Sequence, residues 1–316
     1  MHATLLVLAA GMGSRYGGLK QIDPVGPSGE TVLDYAVFDA MRAGFDRVVF
    51  VIRREFDAVF REQIGSKYAG RLAVDYVYQS IDSLPEGVAV PAGREKPWGT
   101  GHAVWCAREV VRENFAVINA DDFYGLDSFR QLARFLSQPA ASADNHTNIV
   151  SSSARGDAAT SGEAARGREF AIVGFRLAHT LSEHGAVSRG ICTQEAGGQL
   201  ATITERTGIL SDDVGPGGKF SGEEIVSMNC WGFTPELFGG LDEQLRAFLV
   251  ARGGEPKSEF YLPAAVSEMI GRGEASVRVL PTEASWFGVT YREDKPRVTA
   301  ALADLVKNGL YPKKLF

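Results

Sequence analysis

Apolar residues along the chain fall into two alternating periodicities. Leu5-Leu6-Val7-Leu8 is a short unbroken apolar run that leads straight into a glycine-rich stretch, the pattern of a strand buried on both faces of a parallel sheet. Between Thr31 and Ala43 the apolar positions Val32, Leu33, Ala36, Val37, Ala40 and Met41 recur at helical spacing. Gly44 ends that pattern before a second buried run, Val48-Val49-Phe50-Val51-Ile52. Together these make one strand-helix-strand unit. A helix over Phe56 to Ile64, a strand near Val74 to Tyr78, a helix from Gly101 to Val111 and a strand at Phe115 to Asn119 continue the alternation. Residues 1–136 therefore predict a doubly wound, mostly parallel, Rossmann-like α/β sheet.

Beyond this point the pattern changes. From Gln138 to Arg168 the chain turns to Ala, Ser, Gly and Asp with little apolar content besides Ile149-Val150, which predicts a flexible excursion over 137–168. Strand-like runs return at Ala171 to Leu177, Gly190 to Thr193, Leu200 to Glu205 and Ile225 to Phe233, and helices follow at Glu236 to Ala251, Leu262 to Ile270 and Lys295 to Asn308. Residues 169–316 thus predict a mixed α+β extension of the same domain. No repeat of fixed period is present, which argues against solenoids and propellers.

Composition narrows the function classes. The 316 residues are 45% hydrophobic, enough for a substantial core, and carry a formal net charge of −6. That balance argues against a nucleic-acid partner, because neutralising a polyanion takes a concentrated excess of Lys and Arg. Any phosphate should instead be met by a few placed cations. Cys106, Cys192 and Cys230 are odd in number and far apart, fitting neither a disulfide framework nor a zinc spacing. With no signal-peptide pattern at Met1-His2-Ala3-Thr4 and no apolar run of about 18 residues, the expectation is a soluble cytoplasmic protein without a membrane partner. A homo-oligomer is compatible with all of this.

The richest stretch is Leu8-Ala9-Ala10-Gly11-Met12-Gly13-Ser14-Arg15-Tyr16-Gly17-Gly18-Leu19-Lys20, leaving the end of the first strand, where ligands of open α/β sheets collect. Its glycines let successive backbone N–H groups aim at one point, while Arg15 and Lys20 add fixed positive charge, a combination suited to a triphosphate. The dinucleotide fingerprint fails, since Tyr16 stands where its third glycine belongs and Arg53-Arg54 follow the second strand instead of an acid. The P-loop frame around Lys20 is also absent.

Leu8 to Lys20 resembles the opening motif of the nucleotide-sugar pyrophosphorylases, in the NTP-transferase family of the GT-A-like nucleotidyltransferase superfamily. The resemblance implies a GT-A-like sheet in which Ala9, Ala10, Gly11 and Gly13 bind the nucleotide, Arg15 stabilises the departing pyrophosphate and Lys20 contacts substrate phosphates. The Arg15 to Lys20 spacing is shorter than in the sugar enzymes and closer to the cytidylyl and molybdopterin branches. Trp98-Gly99-Thr100-Gly101-His102-Ala103-Val104 resembles the G-T-G-H-A segment of bacterial N-acetylglucosamine-1-phosphate uridyltransferases, which implies that Gly99, Thr100 and, by position, Gln79 hold a pyrimidine base. His102 by itself reads as a packing or capping histidine.

Val117-Ile118-Asn119-Ala120-Asp121-Asp122 resembles the family's strand-end motif, whose acid holds Mg²⁺ against the α-phosphate; Asp121 matches it. Asp122 reads as its supporting partner or as a helix cap. Weaker parallels imply an acceptor site at Gly185, Glu205, Arg206 and Asn229, with Arg206 standing where the family has Lys. The family's second metal carboxylate has no clear counterpart, because Glu259-Phe260-Tyr261-Leu262-Pro263 lacks an Asp.

The expected function is therefore Mg²⁺-dependent transfer of a nucleoside monophosphate, from UTP or dTTP, to a sugar 1-phosphate with release of pyrophosphate. A non-sugar acceptor such as phosphocholine or a cofactor phosphate, or a nucleotide-sensing protein without catalysis, is the alternative. No general base is needed, because a phosphate monoester is already anionic at neutral pH.

Overall fold

The computed structural model describes residues 2–11, 20–138, 168–288 and 292–316, with Lys20 and Arg292 described by backbone alone. The expected excursion over 137–168 lies almost wholly, and Gly13 and Arg15 wholly, outside the described residues. The N-terminal part contains strands β1 (Thr4–Leu8), β2 (Arg47–Ile52), β3 (Ala73–Tyr78), β4 (Phe115–Asn119) and the two-residue β5 (Asp122–Phe123). Its helices are α1 (Val32–Ala43), α2 (Asp57–Gln63), α3 (Thr100–Cys106) and α4 (Gly125–Leu136). After residue 168 come β6 (Glu169–Arg176), β7 (Val187–Gln194), β8 (Leu200–Ile209), β9 (Ile225–Phe233), α5 (Leu237–Arg252), α6 (Leu262–Gly271), β10 (Ser276–Pro281), β11 (Phe287–Gly288) and α7 (Lys295–Lys307).

One sheet runs through both parts in the order β10-β6-β9-β4-β1-β2-β3, with β7 and β8 attached to β9 as a hairpin. β1 pairs in parallel with both β2 and β4, β2 with β3, and β10 with β6. β9 is antiparallel to β4 and β6, joining the two parallel portions. The fold is thus a mostly parallel α/β sheet flanked by helices, with antiparallel strands in its C-terminal extension.

Strand alternation divides the core. Leu5, Val7, Val48, Phe50 and Ile52 point to one face, packing with α1 and α4, while Leu6, Val49, Val51 and Val117 pack with α3, α5 and α6. Each such side chain is fully buried and contributes about 1.5–3 kcal/mol of hydrophobic stabilisation. A third apolar cluster, including Tyr35, Phe123, Phe287, Val298, Leu302 and Tyr311, fastens α7 to α1.

Local chemistry fixes the start and end of α1. Thr31 caps α1 by accepting from the Asp34 N–H, and the Asp34 carboxylate accepts from the Thr31 N–H at 2.7 Å, a reciprocal capping box. Gly44 ends α1 in the left-handed region, at φ 102°.

Two readings of the pattern need correction. The helix expected from Gly101 to Val111 is regular only over Thr100–Cys106, after which looser turns bring the Val111 N–H to the Ala107 carbonyl. β10 was not anticipated: its alternation of Val277 and Val279 around Arg278 is short and ends in proline, as an edge strand allows, and Arg278 pairs with Glu169 at 2.7 Å.

Candidate active site

β1 and β4 are adjacent parallel strands with Leu8 opposite Asn119, so the chain leaves both at the same rim of the sheet. The Ala120 N–H donates to the Leu8 carbonyl at 3.1 Å and carries the ladder one step past the strand ends. From this rim Ala10 and Gly11 depart on one strand and Asp121 on the other. They line a cleft of about 630 Å³ together with Gln21, Arg53, Gln79, Lys96, Gly99, Thr100, Asn119, Glu259 and Tyr261. That size suits a small-molecule ligand. A larger cleft of about 1030 Å³ lies between α4 and α7 and is lined by none of the candidate site residues, several of which gather instead in the strand-end cleft.

Gln79 directly follows β3 at the cleft wall, 7% exposed, and its Nε2 donates to the Gly99 carbonyl at 2.9 Å. Gly99 has φ 98°, and an added Cβ would lie 2.7 Å from the Phe260 carbonyl oxygen; at Gly101 it would lie 2.8 Å from the Phe260 ring. These glycines therefore admit the chain segment 259–262 against the start of α3. The segment is held by Phe260 N–H to Trp98 carbonyl at 2.7 Å, Gly101 N–H to Phe260 carbonyl at 2.9 Å and Leu262 N–H to Thr100 Oγ1 at 3.0 Å. This docking carries Glu259 and Tyr261 into the cleft. Lys96 Nζ lies 3.1 Å from Glu259, and the Tyr261 hydroxyl donates to the same carboxylate, which, with burial, raises the phenol to about 12.

Asp121 is half-buried in the cleft lining. Its neighbour Asp122 is turned into the protein, where it accepts from Asn119 Nδ2 at 2.9 Å and the Tyr124 hydroxyl at 3.2 Å. Asn119 Oδ1 accepts in turn from Asn229 Nδ2 at 2.7 Å. Asn229, at φ 58°, is the non-glycine residue with positive φ among the described residues. Its Oδ1 accepts from Trp231 Nε1 at 2.9 Å.

A family model described as nucleotidyl transferase matches residues 5–175, more than half of the chain and every strand end that forms the cleft in its N-terminal part. The chain belongs to the nucleotidyl transferase family. It is an enzyme of that class. No curated protein sequence matches it.

Among solved structures, a Bacillus anthracis protein described as a glucose-1-phosphate thymidylyltransferase, in complex with a sucrose, aligns at TM-score 0.60 and 13% identity over 96% of each chain. The inositol-1-phosphate CTP transferase from T. maritima aligns at TM-score 0.58 and 11% identity over 96% of each. A UDP-glucose pyrophosphorylase complexed with UDP-glucose aligns at TM-score 0.58 and 15% identity, over 96% of this chain and 99% of that one. At these identities the three attest the fold.

The motif residues of this nucleotidyltransferase are distributed unevenly. Ala10, Gly11, Gln79, Gly99, Thr100 and Asp121 meet in the cleft, whereas Ala9 is buried in the core with its N–H on the Val51 carbonyl at 2.8 Å. Lys20 opens a short 3-10 helix. Gly185 sits in a loop outside the cleft lining. Glu205 and Arg206 alternate along β8, so they occupy opposite faces of the hairpin; Glu205 faces Gly190 and Arg206 faces Arg189. Arg189 is the buried cation of that pair. Its Nε donates to Thr180 Oγ1 at 3.1 Å and its guanidinium lies 4.9 Å from the Trp286 ring centre. Burial lowers its pKa to about 10, opposed by the fields of Asp122 and Glu205. Burial pushes Glu205 up, with Arg189 opposing.

Several cleft residues carried no motif: Gln21, Arg53, Lys96, Glu259 and Tyr261. Gln21 is buried, donates to the Gly11 carbonyl at 2.8 Å and has no partner for Oε1 among the described residues. No group of three or more metal-ligating side chains occurs among the described residues. Mg²⁺ held against a nucleotide needs only one or two carboxylates beside phosphate and water oxygens, so Asp121, with Glu259 in the same cleft, fits that ion. No described helix is long and apolar enough to cross a membrane.

Proposed function

We propose that the protein transfers a nucleoside monophosphate from an NTP to a phosphorylated small molecule, a sugar 1-phosphate, releasing pyrophosphate. The observation that carries this reading is the meeting of Gly11, from the end of β1, and Asp121, from the end of the adjacent β4, in one cleft that also holds Gln79, Gly99 and Thr100.

An acceptor phosphate oxygen attacks the α-phosphorus, a new P–O bond forms, and the bond to the bridging oxygen breaks so that pyrophosphate leaves with its electron pair. No proton need be removed from the nucleophile. The obstacle is the approach of two polyanions, which repel by several kcal/mol at a few ångströms in a partly dehydrated cleft. Arg15 and Lys20 of the glycine-rich loop supply cations toward the nucleotide phosphates, and the backbone at Ala10 and Gly11 frames them. A Mg²⁺ ion held by Asp121 supplies charge neutralisation at the α-phosphate and leaving group when bound. Gln79, Gly99 and Thr100 hold the base, with UTP or dTTP favoured, while Glu205 and Asn229 flank the acceptor. The remaining catalytic contribution is in-line alignment.

The test is pyrophosphate release from each of four NTPs paired with glucose 1-phosphate and other phosphorylated acceptors, for the wild type and for Asp121→Asn. Release with one NTP–sugar phosphate pair, and its loss in the variant, supports the reading; no release with any pair refutes it. Similarity of the fold to an inositol-1-phosphate CTP transferase, on a par with that to the sugar enzymes, favours a cyclitol or other non-sugar phosphate as the second acceptor class.

A further inference from the structure

Both N–H donors of the Gln79 carboxamide are engaged inside the protein. Nε2 lies 2.9 Å from the Gly99 carbonyl oxygen and 3.2 Å from Nδ1 of His102. The other imidazole nitrogen, Nε2, is 2.5 Å from the Ser83 carbonyl oxygen. A carbonyl can only accept, so His102 Nε2 carries the ring proton and Nδ1 presents a lone pair to Gln79. Reversing the Gln79 amide would set its oxygen against two acceptors at once, so the network fixes the amide orientation.

His102 is well placed to hold this arrangement. It is fully buried, stacks on Trp105 with ring centres 5.8 Å apart, and burial lowers its pKa to about 4, so the neutral form persists around neutrality. What remains of the carboxamide is Oε1, which has no hydrogen bond among the described residues, on a side chain that lines the cleft.

We infer that His102 is a positioning residue for base choice: it turns the Gln79 donors inward and leaves the cleft an acceptor alone, selecting a base with a ring N–H at its pairing edge. This rests on the reading of Gln79 as a base contact. Uracil, thymine and guanine carry such an N–H. Cytosine and adenine present a ring lone pair there, which the Gln79 oxygen repels; each could offer its exocyclic amino group only by sliding along the cleft. His102 touches no nucleotide in this scheme and acts through Gln79.

The experiment measures equilibrium binding of UTP, dTTP, GTP, CTP and ATP, with Mg²⁺, to the full-length protein, alongside kcat/KM for each with glucose 1-phosphate. The best of the first three nucleotides is expected to bind at least about tenfold tighter than the better of CTP and ATP, the discrimination of one good base contact. His102→Leu removes one of the two acceptors that fix the Gln79 amide, leaving the Gly99 carbonyl alone to orient it, and the ratio should fall below about threefold. His102→Asn, whose Oδ1 stands near the position of Nδ1, should keep most of it. Thermal melting checks that each variant is folded; should His102→Leu not fold, His102→Ala, which also removes the acceptor facing Gln79, is compared with His102→Asn instead.

A wild-type preference for CTP or ATP overturns the inference. So does a folded His102→Leu protein that keeps the wild-type ratio, or one that loses affinity equally for all five nucleotides, which marks a packing role only. If no NTP–acceptor pair releases pyrophosphate, the reaction reading fails, while the binding ratios still decide the role of His102.

Discussion

Gly288 faces Asp122 across the short antiparallel ladder of β11 and β5, and a Cβ on the glycine would lie 2.5 Å from Asp122 Oδ1 and 2.9 Å from the Trp286 ring. The missing side chain leaves room for a buried carboxylate, whose other oxygen anchors Asn119 and, through it, Asn229. Residues more than a hundred positions apart are thereby locked at the end of β4, next to Asp121.

Gly288→Ala should push Asp122 out of this network. The expected loss is about 1–3 kcal/mol, typical of overpacking, seen as a drop of several degrees in Tm. Turnover should fall more than stability alone explains, because Asn119 lines the cleft. A crystal structure showing Asp122 unmoved would contradict this.

Asp121→Asn removes a negative charge from the cleft lining while keeping its shape. Turnover is expected to fall by about 10²–10³ or more with little change in melting temperature, in line with other electrostatic contributors to catalysis. Steady-state pyrophosphate release checks it; activity equal to wild type would exclude Asp121 from the reaction.

Gly99→Ala meets two obstacles, a backbone at φ 98° and the Phe260 carbonyl 2.7 Å from the new methyl group. The expected cost is about 1–3 kcal/mol. Hydrogen exchange should show faster opening of the amides of Phe260 and Leu262, which bond across this contact. Unchanged protection there would mean that the segment is held in place by something else.

Asp39 is fully buried, accepts from the Tyr311 hydroxyl at 2.5 Å, and has its pKa raised to about 7 by burial. A carboxyl whose folded pKa exceeds its unfolded value near 3.9 binds its proton more tightly in the folded state. Its stabilisation is therefore complete below about pH 4 and is lost as pH rises through about 7. Asp39→Asn should be more stable than wild type at pH 8 by a few kcal/mol and should flatten the decline in Tm between pH 5 and pH 8. A wild-type decline that survives the substitution would assign it to other groups.

The strand ends and the motifs that leave them were legible because their signals are local: an unbroken apolar run, a glycine cluster, an acid at a strand terminus. Even so, periodicity cannot order strands, and the adjacency of β1 and β4 emerges only from their pairing. Glu259, Tyr261 and Lys96 were not legible as cleft residues, since what brings the first two there is the backbone of Phe260 docking on Gly99 and Gly101. The glycines of that motif were visible, but their partner was not. Arg206 followed a motif letter, whereas cross-strand register shows that it stands opposite the buried Arg189, a distinction no linear spacing encodes. Arg15 and Gly13 lie outside the described residues.

The position of β9 between β4 and β6 bears on how the chain is made. As the polypeptide leaves the ribosome, β4 is complete long before Ile225–Phe233 appears, a delay on the order of ten seconds at ordinary translation rates. Throughout that interval one side of a strand that is apolar up to Asn119 has no hydrogen-bonding neighbour among the described residues, the kind of edge that invites mispairing with other nascent chains. Newly made copies should depend on chaperones that shield such an edge, and fragments ending before Ile225 should aggregate instead of folding.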